Sequence, residues 1–145
     1  MTAPVSAEIL SAFPQRYLNA WNQRDVATAL EVVHPKVHWT DPLLPEPITD
    51  RDGAAAFFGG AWQGFPDLHF EAIGAPLVDL AAGRTASSWR MTGTHKGEFP
   101  QGVPASGNSF AIEGTDVWEV DAAGQATAVQ AFYDSIALLR AIGLA

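Results

Sequence analysis

Cysteine is absent from this 145-residue sequence, which excludes disulfides, thiolate catalysis and zinc sites built on Cys. Basic residues are scarce: eight Lys and Arg stand against sixteen Asp and Glu, for a net charge of −8. A surface that tracks phosphates needs clustered cations, so nucleic acid is not an expected partner. No apolar run reaches the ~18 residues of a membrane span, and no cationic segment followed by an apolar stretch opens the chain. A membrane partner and a secretory signal are therefore not expected, and the cytoplasm is the default location. His34, His38, His69 and His95 show neither an i, i+4 pair nor a one-residue spacing, so no metal site is expected. Gly59-Gly60 and Gly93 make no phosphate-cradling loop. With no internal repeat and no low-complexity linker, residues 1–145 read as one continuous domain.

What the chain does have is apolar and aromatic material: 48% hydrophobic residues, with five Trp and eight Phe, enough for a packed core and a lined cavity. Ile9, Leu10, Phe13, Tyr17, Leu18 and Trp21 follow helical spacing over residues 6–23, with Ser6 as N-cap. Pro14 conflicts with an unbroken helix and marks either a kink or the true first turn. Asp25 caps a second helix through Val33, and Val37 to Asp41 is a short strand stopped by Pro42. A third helix starts at Asp50 or Asp52 and runs to about Trp62, broken by Gly59-Gly60. Strands follow over about 68–78, 84–95, 109–120 and 125–134, then a tail helix from Ser135 to Ile142. The connections 79–83 and 121–124 are compact turns, whereas 97–108 is long enough to form a functional mouth. Helices first and antiparallel strands after them give the α+β class, with helices packed on one face of a sheet.

Three polar residues sit on stripes that the pattern assigns to the interior. Phe110, Ile112, Trp118 and Val120 alternate with Glu113, Thr115 and Glu119, and Asp116 falls on the apolar side. A carboxylate there must be paired, hydrogen-bonded or protonated. Asp41 shares strand parity with Val37 and Trp39, and Tyr17 lies on the helical stripe of Leu10, Phe13 and Trp21. Taken singly, Tyr17 is a core tyrosine and Asp41 starts a turn; their coincidence with Asp116 points to chemistry. One carboxylate can take a proton from carbon beside a carbonyl, while a phenol and a neutral carboxylic acid donate to the developing oxyanion. Trp21, Phe58, Trp62, Trp89, Met91, His95 and Trp118 are the candidates for a substrate-binding lining, with Phe57 beside them, although aromatic stripes at such spacings also build plain core.

The segment Gln15-Arg16-Tyr17-Leu18-Asn19-Ala20-Trp21-Asn22-Gln23-Arg24-Asp25 resembles the opening helix pair of the nuclear transport factor 2-like superfamily. Trp39-Thr40-Asp41-Pro42, then Asp52-Gly53, and Gly114 to Gly124 resemble its first strand, third helix and late hairpin. Thr92 to Phe99 and Tyr133 to Leu144 are similar to the SnoaL-like polyketide-cyclase branch. The resemblance implies a cone-shaped α+β barrel, with three N-terminal helices on a strongly curved, mostly antiparallel sheet and a short C-terminal helix. Within the superfamily Tyr17, Asp41 and Asp116 fall on the oxyanion tyrosine, general base and oxyanion acid of ketosteroid isomerases. The position that carries the catalytic aspartate of SnoaL-type cyclases falls on Ala131, and Asp134 matches a residue that anchors the tail helix. The combined expectation is a cofactor-independent isomerase or cyclase acting on a small hydrophobic polyketide- or steroid-like carbonyl compound, with Asp41 as base. A homodimer is expected by analogy with relatives. The alternative is a non-catalytic domain that binds a small ligand or another protein.

Overall fold

A computed structural model describes residues 4–145. Along the chain run α1 (Ala7–Gln23), α2 (Val26–Leu30), β1 (Val33–Thr40), α3 (Arg51–Gly64), β2 (His69–Asp79), β3 (Arg84–Thr94), β4 (Ser109–Val120), β5 (Ala126–Tyr133) and α4 (Ser135–Ala141). Every one of these helices starts at a side-chain N-cap: Ser6, Asp25, Asp50 and Asp134 each accept a backbone N–H two or three residues on. Such a cap satisfies a donor that the helix leaves orphaned, and each contributes about 1 kcal/mol.

Two sequence expectations fail at helix breakers. Pro14 lies inside α1, and the helix passes through it from Ala7 to Gln23. Its ring is buried with Phe13, Tyr17 and Leu18, so packing offsets the lost hydrogen bond. Gly59-Gly60 does not interrupt α3, which continues to Gly64 because Ala54, Phe58 and Ala61 bury its inner side. In addition, α2 ends at Leu30, and β1 begins four residues earlier than expected, at Val33.

The five strands form one open mixed sheet in the order β1-β5-β4-β3-β2. β1 pairs with β5 in parallel, and the other three pairings are antiparallel. α1 packs across β2 and β3, α3 approaches β1, and α4 lies against β4. The resulting α+β architecture is the curved, open-coned form expected from the sequence.

Cross-strand register explains where the sheet is full and where it is hollow. At one level Thr85, Trp118, Val129 and Trp39 stand side by side on the inner face. Two residues along, the row is Ser87, Asp116 and Ala131; the next is Ala72, Trp89, Gly114 and Tyr133. A bulky row is thus followed by a row of small side chains around one acid, and the space they leave is not filled by the sheet itself. Gly114 is required by packing: a Cβ there would meet Trp89 Cη2 at 2.6 Å and the Phe132 carbonyl oxygen at 2.7 Å.

Candidate active site

Between the small-residue row and the helices lies a cavity of about 50 Å³. Asp116 reaches it from the middle of β4, Tyr17 from α1, Asp41 from the residue after β1, and Tyr133 from the end of β5. Trp21, Trp39, Phe57, Trp89 and Met91 supply apolar wall, and Ala131 is part of the lining beside Asp116.

Asp116 is 4% exposed, its Oδ1 has no hydrogen-bond partner, and it forms no ion pair among the described residues. Its pKa is pushed up to about 8, by burial first and also by the charge of Asp41, while the Trp89 indole N–H pulls the other way without completing a hydrogen bond. At neutral pH the group therefore stays mostly protonated and can donate.

Asp41 is set up differently. Pro42 ends β1 and turns the chain, so that the Leu43 N–H donates to Asp41 Oδ1 at 2.9 Å. The Tyr133 hydroxyl donates to the same oxygen at 2.5 Å. Burial raises the Asp41 pKa, and these two donors oppose the rise by stabilising the carboxylate. Both hydrogen bonds fall on Oδ1, which fixes the plane of the group and leaves Oδ2 as its uncommitted oxygen.

Tyr17 is 1% exposed. Its pKa lies well above the usual phenol value, first because of burial and then because of the charge on Asp116. It packs edge-on against Trp118, at 5.1 Å, and against Trp39, at 6.0 Å. The Tyr133 phenol is likewise raised, by burial first and then by Asp41, so both hydroxyls remain donors.

The expected lining divides. Trp21, Trp89 and Met91 stand on the cavity wall with Tyr17, Asp41 and Asp116, whereas Phe58, Trp62, His95 and Trp118 do not. Phe58 is fully buried under Trp21, with ring centroids 4.5 Å apart. Trp62 donates its indole N–H to the Trp21 carbonyl at 3.0 Å and so braces α3 on α1. Trp118 has the right parity but lies one row too deep, against Phe13 and Tyr17. His95 follows the end of β3; its Nδ1 accepts the Ser106 N–H at 3.1 Å, tying the long loop to the sheet.

Tyr133, Phe70 and Phe99 are among the lining residues that the sequence pattern does not single out. Tyr133 shares the parity of Ala131, the cross-strand partner of Asp116, and that alternation could have found it. Phe57 and Phe58 are both lining candidates by sequence, and only Phe57 reaches the cavity. Among the described residues no group of three or more His, Asp or Glu side chains could hold a metal ion. No helix there is long and apolar enough to cross a membrane.

A sequence model of the SnoaL-like domain matches residues 15–129. In fold the chain is similar to a candidate SnoaL-like polyketide cyclase from Jannaschia sp. CCS1, at TM-score 0.81 and 20% identity, over 100% of this chain and 98% of that one. A candidate polyketide cyclase from Xanthomonas campestris pv. campestris gives TM-score 0.81 at 16% identity, covering 94% of this chain and 98% of the other. IdmH, a candidate polyketide cyclase from Streptomyces antibioticus, gives 0.72 at 23% identity, with 92% and 97% covered. At such identities the likeness concerns the fold alone. No curated protein matches the chain in sequence.

Proposed function

The chain belongs to the SnoaL-like domain family, and on that premise we propose that it is a cofactor-independent acid–base enzyme that removes a proton from carbon beside a carbonyl. The observation that carries the proposal is Asp116: a buried carboxyl with an unpartnered oxygen, on the wall of a cavity that also bears Tyr17 and Asp41.

The roles follow from environment. Asp41, more exposed and held by two hydrogen bonds, is the carboxylate; its Oδ2 takes the proton from the substrate carbon. The electron pair released moves onto the carbonyl oxygen. Neutral Asp116 and Tyr17 donate hydrogen bonds to that oxygen as its charge grows, in surroundings with little competing solvent. Return of the proton from Asp41 to a different carbon completes an isomerisation. Attack of the enolate carbon on a second carbonyl of the same molecule closes a ring by aldol addition, the proton going to the new alkoxide. Substrates of this kind are small, hydrophobic polyketide- or steroid-like carbonyl compounds.

The direct experiment is Asp41→Asn assayed with a 3-oxo-Δ5-steroid and with an anthracycline-type methyl ester. The variant should lose on the order of 10²-fold or more in turnover. Unchanged turnover removes Asp41 from the role.

A second reading, a non-catalytic protein-interaction domain, is favoured by one observation. The cavity of about 50 Å³ is far smaller than the roughly 300–1,000 Å³ of ordinary ligand pockets. Exchange of carbon-bound hydrogen for deuterium separates the two readings: a non-catalytic domain leaves a carbonyl compound undeuterated.

A further inference from the structure

The narrow cavity has a larger neighbour. Outside it, between α3, the 41–50 loop and the 97–104 loop, runs a groove of about 600 Å³. Phe57, Ala61 and Phe99 line both spaces. The two are therefore separated by a partition of side chains and not by backbone.

The partition is held from behind. A Cβ on Gly64 would lie 2.4 Å from Phe99 Cβ, so Phe99 rests directly on the α3 backbone. A Cβ on Gly97 would meet the Gln63 carbonyl oxygen at 1.9 Å, so the root of the loop is pressed against the same helix end. Lys96 and Gly97 both donate their N–H to the Gly64 carbonyl, at 3.0 and 3.1 Å. The rings of Phe57 and Phe99 are both half-buried.

From this arrangement we infer that the groove is the binding site for the remainder of the substrate, only whose reacting carbonyl end passes the Phe57–Phe99 partition into the cavity. The inference rests on the proposed acid–base reading and names its substrate class: an elongated, uncharged carbonyl compound. Leu44, Ile48, Ala56 and Pro100 offer the groove apolar surface, while Gln63 and Gln101 offer amide groups to polar atoms on the tail. No Lys or Arg lines either space, and Glu98 stands at the groove, so a phosphate- or carboxylate-bearing tail is disfavoured.

Gly60 provides the test. It faces the groove from the middle of α3, and a Cβ there would meet nothing within 4 Å. Gly60→Phe therefore fills the groove without forcing the helix. Gly59 has equally open surroundings but lines neither space, so Gly59→Phe is the matched control. Binding of 2-butanone and 2-undecanone to the full chain is followed through the indole N–H signals of the cavity tryptophans Trp21, Trp39 and Trp89. Wild type and Gly59→Phe should prefer the long ketone, and Gly60→Phe should lower that preference by about tenfold or more, since several methylenes lose their burial. An unchanged preference in Gly60→Phe, an equal loss in Gly59→Phe, or no binding of 2-undecanone to wild type overturns the inference. Binding is read without turnover, so failure of Asp41 as a base leaves the groove test intact and is distinguished from it.

Discussion

Replacing Asp116 by Asn keeps the shape of the side chain and removes its proton equilibrium. In the wild-type chain burial moves that equilibrium from 3.8 to about 8. Below the lower value both the folded and the unfolded chain hold the proton, and the stability associated with it is fully present. Between the two values the unfolded chain has released the proton while the folded one retains it. Stability therefore falls as pH rises through this window, because unfolding is accompanied by proton release. At about 1.4 kcal/mol per unit of displacement, the full shift corresponds to a loss on the order of 5 kcal/mol, with local relaxation reducing it. Asp41 is raised as well and contributes a slope of the same sign. The assay is urea unfolding followed by tryptophan fluorescence at a series of pH values from about 4 to 8.5. Asp116→Asn should gain on wild type steadily as pH rises, by several kcal/mol at the alkaline end. A constant offset across the whole range would refute the reasoning, since it would mean that Asp116 ionises as easily folded as unfolded.

Two further substitutions probe the support around the acids. Tyr133→Phe removes the donor at 2.5 Å that favours the Asp41 carboxylate, so the Asp41 pKa should rise and the acidic limb of the rate–pH profile should move to higher pH; a limb that does not move excludes Tyr133 from positioning the base. Gly114→Ala places a methyl 2.6 Å from the Trp89 ring and 2.7 Å from a backbone oxygen, and should destabilise the chain by roughly 1–3 kcal/mol through overpacking, measured by thermal or urea unfolding.

Strand parity carried much of the site. A period of two placed Asp116 on the inner face, and the same reasoning brought Asp41 and Trp89 to the cavity wall, because side-chain direction in a strand is a local property. Parity does not give depth. Trp118 shares the face of Asp116 but stands in the row that packs on Phe13, and only the register between strands separates the two. In α3 the sequence offers both Phe57 and Phe58, and only the packed structure turns Phe57 to the cavity and Phe58 to the core under Trp21. Pro14 disfavours a helix interior by propensity, and its burial within α1 is a case of tertiary packing overriding that propensity. The Tyr133–Asp41 hydrogen bond joins residues 92 apart in sequence and depends on the parallel pairing of β1 with β5, which no local pattern announces.

The division of labour between a neutral Asp116 and a charged Asp41 can be observed directly by following the carboxyl carbon signals of ¹³C-labelled aspartate through a pH titration, assigned with Asp116→Asn and Asp41→Asn. The Asp116 signal should keep its protonated shift at pH 6 and titrate near pH 8, with Asp41 changing at lower pH. An Asp116 signal already in its ionised position at pH 6 would contradict the account.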